Sequence, residues 1–106
     1  MLKEVRITVD PLSGDITYRP AVLHGRRVDV VRWTCESGPF AIQFAGLTPF
    51  ESADDRSGGD KGAREWVIEK PVRGDASPGG YRYVCAVCAD GRAFVDAGCP
   101  VIIIDI

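Results

Sequence analysis

Thiols carry most of the chemistry available to this chain. It has four cysteines, Cys35, Cys85, Cys88 and Cys99, against a single histidine, His24, and a single methionine, Met1. Three of the cysteines fall in one stretch, Gly79–Ile106, which reads GGYRYVCAVCADGRAFVDAGCPVIIIDI and holds the one short-spaced pair, Cys85-x-x-Cys88. Thiolates converging from all four positions would suit Zn²⁺ or a soft ion such as Cu(I). A structural zinc site, however, usually shows two short-spaced pairs, and only one is present here. On a regular strand, residues three apart point to opposite faces, so Cys85 and Cys88 can ligate together only if the chain bends at Ala86-Val87. A thioredoxin-type dithiol needs a helix N-terminus to activate its first cysteine, and no helical periodicity follows Cys85.

Other chemistry-bearing residues lack partners. Asp54, Asp55 and Asp60 miss the spacing of a Ca²⁺ loop, and no bidentate glutamate follows where one is required, so they read as a solvated acidic loop. Ser37 and Ser77 have no histidine motif beside them, and His24 lacks the companions of a general base. Trp33 and Trp66 sit in strand-like runs and read as core or sheet-face residues. No catalytic constellation emerges, and the expectation is that the chain is not an enzyme.

The elements that would position the thiols are short strands. Glu4–Asp10 places Val5, Ile7 and Val9 on one face at period two. Ser13-Gly14-Asp15 is a turn, and Ile16–Arg19 is a short strand stopped by Pro20, which cannot donate to a ladder. Ala21–Gly25 leads through the Gly25-Arg26-Arg27 turn to Val28–Thr34, a strand apolar on both faces. Cys35–Pro39 is a loop. Phe40, Ile42 and Phe44 then alternate cleanly with Ala41, Gln43 and Ala45. From Pro49 to Gly62 the composition shifts to PFESADDRSGGDKG, which reads as the most mobile segment. Strand character resumes at Arg64–Glu69, and Lys70–Gly80 is loop. Tyr81–Val87 places Tyr81, Tyr83 and Cys85 on one face; Arg92–Val95 adds a short strand; Val101–Ile106 is a closing β-branched run, with Asp105 marking an edge or the end. About seven or eight short strands spaced by turn signals imply an antiparallel sandwich or small barrel.

Composition bounds the rest. At 106 residues, with 45% hydrophobic and 26% charged content, residues 1–106 make one ordinary globular domain with a single core. The net charge of −2 gives no basic field, which argues against nucleic acid as a partner. No run approaches the ~18 apolar residues of a membrane helix. The first residues alternate polar and apolar, unlike a signal peptide, so the expected location is cytoplasmic, or exported if a leader has been removed. In the cytosol, cysteines are expected as thiols or ligands rather than disulfides.

The order of features in two separated regions resembles the cupredoxins. That family's final hairpin reads roughly Gly-x-Tyr-x-Tyr-x-Cys-x-x-His, a loop, Gly-Met and an apolar strand. Here the matching text is Gly80-Tyr81-Arg82-Tyr83-Val84-Cys85-Ala86-Val87-Cys88, a loop, Gly98-Cys99 and Val101–Ile104. Upstream, Gly25, Val28–Trp33, the loop Thr34–Gly38 and Pro39-Phe40 with Ala41–Ala45 match the family's glycine turn, its aromatic-ended strand and its Pro-His strand. The resemblance spans roughly Pro20–Ile106 and implies an all-β, antiparallel Greek-key β-sandwich. It also implies that Phe40, Cys85, Cys88 and Cys99 stand at former ligand positions, with Cys35 close to Cys85. A type 1 copper site needs two imidazoles and a thiolate. With Phe40 and Cys88 at the histidine positions and His24 outside both regions, blue-copper electron transfer is not expected and no cofactor is expected.

The expected function is therefore a non-enzymatic binding or interaction module that lacks the type 1 copper ligands. Its candidate contact loop holds Phe50, Glu51, Asp54, Asp55, Arg56, Asp60 and Lys61, because loops on a rigid scaffold carry recognition. The partner would be another protein, or a second copy joined through an edge strand. The alternative is a thiolate site for Zn or Cu, or a redox dithiol, at Cys35, Cys85, Cys88 and Cys99.

Overall fold

The computed structural model describes residues 1–57, 65–96 and 100–105. Alternation of buried and exposed side chains builds each layer of a two-sheet sandwich, and no helix occurs among the described residues. The first sheet contains β1 (Leu2–Val9), β2 (Ile16–Arg19), β4 (Val30–Cys35) and β7 (Trp66–Pro71), in the order β2-β1-β4-β7. The second contains β3 (Val22–Gly25), β5 (Phe40–Phe44), β6 (Asp54–Arg56), β8 (Gly79–Ala89), β9 (Arg92–Asp96) and β10 (Val101–Ile104). Its order is β3-β10-β8-β5-β6, with β9 paired to β8 beyond the reach of β10.

Val5 and Ile7 of β1, Val31 and Trp33 of β4, Phe40, Ile42 and Phe44 of β5, and Tyr81, Tyr83 and Cys85 of β8 all face the core, as their period-two spacing predicts. Two features differ from the sequence expectation. Most pairs are antiparallel, but β1 with β4 and β3 with β10 are parallel. The cause is the chain path: it crosses from β2 to β3 in the other sheet before returning as β4 beside β1. There are also two more strands than expected, β3 and β6, both at sheet edges.

Val28 is a further correction. It does not belong to a strand but sits at φ 63 and is 71% exposed. A β-branched residue is strained in this left-handed region. The turn holds it there: the Arg26 backbone N–H donates to Asp29 Oδ2 (2.9 Å), Asp29 N–H to the Arg26 carbonyl (3.1 Å), and Val28 N–H to the Val72 carbonyl (3.2 Å). The strand after Glu65 likewise runs on through Pro71, where loop was expected.

Aromatic rings join the layers. Trp33 of the first sheet packs edge-on against Tyr83 of the second at 5.9 Å and against Phe50 at 5.5 Å. Tyr83 also meets Phe44 at 5.2 Å and Tyr18 at 6.0 Å. Inside this cluster Trp33 Nε1–H donates to Tyr83 Oη at 3.2 Å, a buried bond between the two sheets. Tyr83→Phe keeps the ring but leaves the indole N–H without its acceptor. Denaturant titration should show a stability loss of about 1–3 kcal/mol, and a loss near zero would mean the bond contributes nothing.

Candidate functional site

The cysteines are set by the regularity of β8. Hydrogen-bonded to β5 on one side and to β9 on the other, its second half cannot bend. Tyr81, Tyr83, Cys85, Val87 and Ala89 therefore point inward, while Arg82 and Cys88 are exposed and Val84 and Ala86 are half-buried on the outer face. Cys85 is 1% exposed and Cys88 is open to solvent. Cys35, fully buried at the end of β4, shares the core with Cys85. All three are free thiols. Cys99 lies outside the described residues. Among those described, no three or more His, Cys, Asp or Glu side chains gather where they would hold a metal ion.

Phe40, which the cupredoxin resemblance matches to a histidine position, is 3% exposed and fills that end of the core. Its backbone N–H donates to Ser57 Oγ (2.9 Å), and its carbonyl accepts from Ser57 N–H (2.8 Å). The loop before it is pressed on the end of β8: Cys88 N–H donates to the Pro39 carbonyl (2.9 Å), and a side-chain carbon on Gly38 would overlap the Cys88 carbonyl oxygen. Only glycine permits that approach.

The buried rung across this sheet is Asp55–Ile42–Cys85–Asp96. Burial pushes the Cys85 thiol up to about 12, with Cys35 and Asp96 adding to the effect and the Tyr18 hydroxyl opposing it. Tyr18 is raised far above the usual phenol range, first by burial and then by Cys85 and Asp96, and Tyr83 is raised mainly by burial. Tyr18 Oη is enclosed without a well-aligned hydrogen bond. A thiol in such surroundings stays neutral at physiological pH and is a poor nucleophile or ligand.

The expected contact loop divides. Phe50 is not on the surface; it is fully buried between Trp33 and Phe44, with Lys70 Nζ 5.4 Å above its ring. Asp55 is half-buried and pairs with Lys70 at 2.8 Å, so it too faces inward. Glu51, Asp54 and Arg56 are exposed, and Asp60 and Lys61 lie outside the described residues. His24 is exposed, its Nδ1 3.2 Å from Asp105 Oδ2. What sequence reasoning missed is the outer face of β5, β6, β8 and β9. Ala41, Gln43, Val84, Ala86 and Val95 line a hollow of about 470 Å³, walled by Asp54 and Arg56. The signal was present in outward positions of β5, the second half of β8, and β9, where Ala41, Gln43, Val84, Ala86 and Val95 are small, apolar or uncharged.

No family model and no curated protein sequence matches the chain. Its fold is matched by solved cupredoxins. A purple cupredoxin from Nitrosopumilus maritimus superposes with a TM-score of 0.54 at 17% identity, over 94% of this chain and 98% of that one. A Sinorhizobium pseudoazurin superposes with a TM-score of 0.52 at 16% identity, over 100% of this chain and 76% of that one. The fold is cupredoxin-like.

Two predictions concern this end of the sandwich. Gly38→Ala must displace backbone and should cost more than ~2 kcal/mol in urea denaturation; wild-type stability would remove the close approach from the account. Because the native Cys85 value lies above the ordinary 9.0, its contribution is complete below about pH 9 and is lost as pH rises towards 12. Denaturant midpoints should fall over that window, and Cys85→Ala should flatten the fall.

Proposed function

We propose that this cupredoxin-like sandwich is a non-enzymatic binding module whose former ligand positions serve as core and surface. The observation that carries the reading is the opposed placement of Cys85 and Cys88 on one unbent strand, with Phe40 packed where an imidazole would be needed. Burying Phe40 contributes on the order of 2 kcal/mol to the fold, which a ligand at the same position would forfeit. A metal or redox role at the cysteine set is disfavoured by the same geometry: one thiol is neutral and enclosed, and another faces solvent on the far side of the sheet.

The surface that fits such a role is the outer face of the second sheet. The first sheet carries cross-strand ion pairs on its outside, with Arg32 2.7 Å from Glu69 and 3.2 Å from Glu4, and Arg6 3.4 Å from Glu36. The second sheet offers small apolar residues instead, with Val95 73% exposed. Strand addition at an edge fits less well. β2 has four residues and is followed by Pro20, while β6 has three residues, all charged. Short, charged or proline-ended edges are poor templates for pairing.

Elemental analysis and thiol titration of the protein purified without added metal test the reading together. Fast modification of Cys88, protection of Cys35 and Cys85 until unfolding, and less than stoichiometric metal are expected. One equivalent of zinc or copper bound with Cys85 protected only in the loaded form would sink it.

A further inference from the structure

The outer face of the second sheet has a symmetry that selects its partner. Two outward rungs flank the buried Asp55–Ile42–Cys85–Asp96 rung. One runs Arg56–Ala41–Ala86–Val95 and the other Asp54–Gln43–Val84. The exposed ends of these rungs on β6 therefore carry opposite charges at matching places, and neither Asp54 nor Arg56 has an ion-pair partner among the described residues. The rest of both rungs is uncharged.

We infer that the partner of this face is a second copy of the same chain, bound face to face about a two-fold axis that runs along the buried rung. This deepens the binding-module reading and rests on it. A two-fold in that position exchanges the two outward rungs. Arg56 then stands opposite Asp54 of the second copy, and Asp54 opposite its Arg56, giving two equivalent ion pairs at one rim. Ala86 stands opposite Val84 of the second copy, and Ala41 opposite its Gln43. Two right-handed twisted sheets stacked this way cross at about −30°, the aligned packing of ordinary sandwiches. Small side chains along the centre let the layers approach at least as closely as the usual ~10 Å.

The remaining charge on the face is compatible with this arrangement. Arg82 lies three residues before Cys85 on the outward side of β8, so the same exchange sets it over Cys88 of the second copy. The two Arg82 side chains end up roughly 20 Å apart, at ~3.3 Å per residue, and do not repel across the contact. An interface in which one patch meets itself, with complementary rim charges and an uncharged centre, is what a closed two-fold dimer requires.

The test is a charge exchange read by sedimentation equilibrium. Wild type should shift with concentration from its chain mass of 11.5 kDa to twice that value. Arg56→Asp and Asp54→Arg singly each create two like-charge pairs across the axis and should weaken the dimer about tenfold or more, while the combined variant should restore it. Ala86→Arg, at the centre, should abolish it. Circular dichroism and denaturant midpoints check that each variant folds. A wild type that stays at 11.5 kDa up to ~1 mM would overturn the proposal. So would folded single reversals that dimerise as wild type, or a combined variant that fails to recover. A strictly monomeric protein with protected core thiols and no metal would leave the binding-module reading standing.

Discussion

The bond between Trp33 and Tyr83 is the constraint to which the rest of the sandwich is tied. Two sheets facing each other across an apolar layer can slide with little penalty if only shape holds them. A buried indole N–H cannot: it needs its acceptor, and leaving it unpaired costs more than the bond contributes. Trp33 lies two residues before Cys35 on β4, and Tyr83 lies two before Cys85 on β8, so one hydrogen bond sets both cysteines in the same layer of core. Phe50 closes the cluster from the side, and this draws the chain inward before it emerges as β6. The position of Asp54 and Arg56 on the surface thus depends on an aromatic contact beneath them.

Much of this was legible in the residues. Period two at Val5-Ile7, Phe40-Ile42-Phe44 and Tyr81-Tyr83-Cys85 names the buried face of three strands directly, because a half-buried strand has no other way to segregate its side chains. The outward turn of Cys88 followed from the same parity. What escaped was local structure that depends on distant partners. β3 has two exposed residues in four, and the strand it pairs with among the described residues, β10, arrives nearly eighty residues later in the chain. β6 is Asp-Asp-Arg, which has no strand propensity and pairs only because β5 and Lys70 receive it. Phe50 was misread for the same reason: a polar neighbourhood in sequence hides an apolar one in space.

The end of the sandwich around Phe40 is closed core. Phe40 fills that end with apolar surface, and Gly38 and Pro39 are packed on the Cys88 backbone behind it. Cys85 keeps its place as a small apolar residue whose burial suppresses its acidity. The two outer faces show the same economy of roles. One carries ion pairs whose energetic worth at the surface is small, and solubility is the natural use of such a lattice. The other is a shallow, mostly uncharged hollow.

The place of β10 has a further consequence, for the order in which the molecule can be made. The last of the described strands, β10, lies in the interior of its sheet, between β3, one of the earlier strands, and the first half of β8. Until Val101–Ile104 is available, β3 has no strand beside it and β8 presents a bare flank. During synthesis the second layer therefore exists only as fragments with open, hydrogen-bond-hungry edges, however complete the first layer is. Closure of this layer waits on Val101–Ile104, so a chain made only as far as β9 is more exposed to wrong pairing than the folded sandwich.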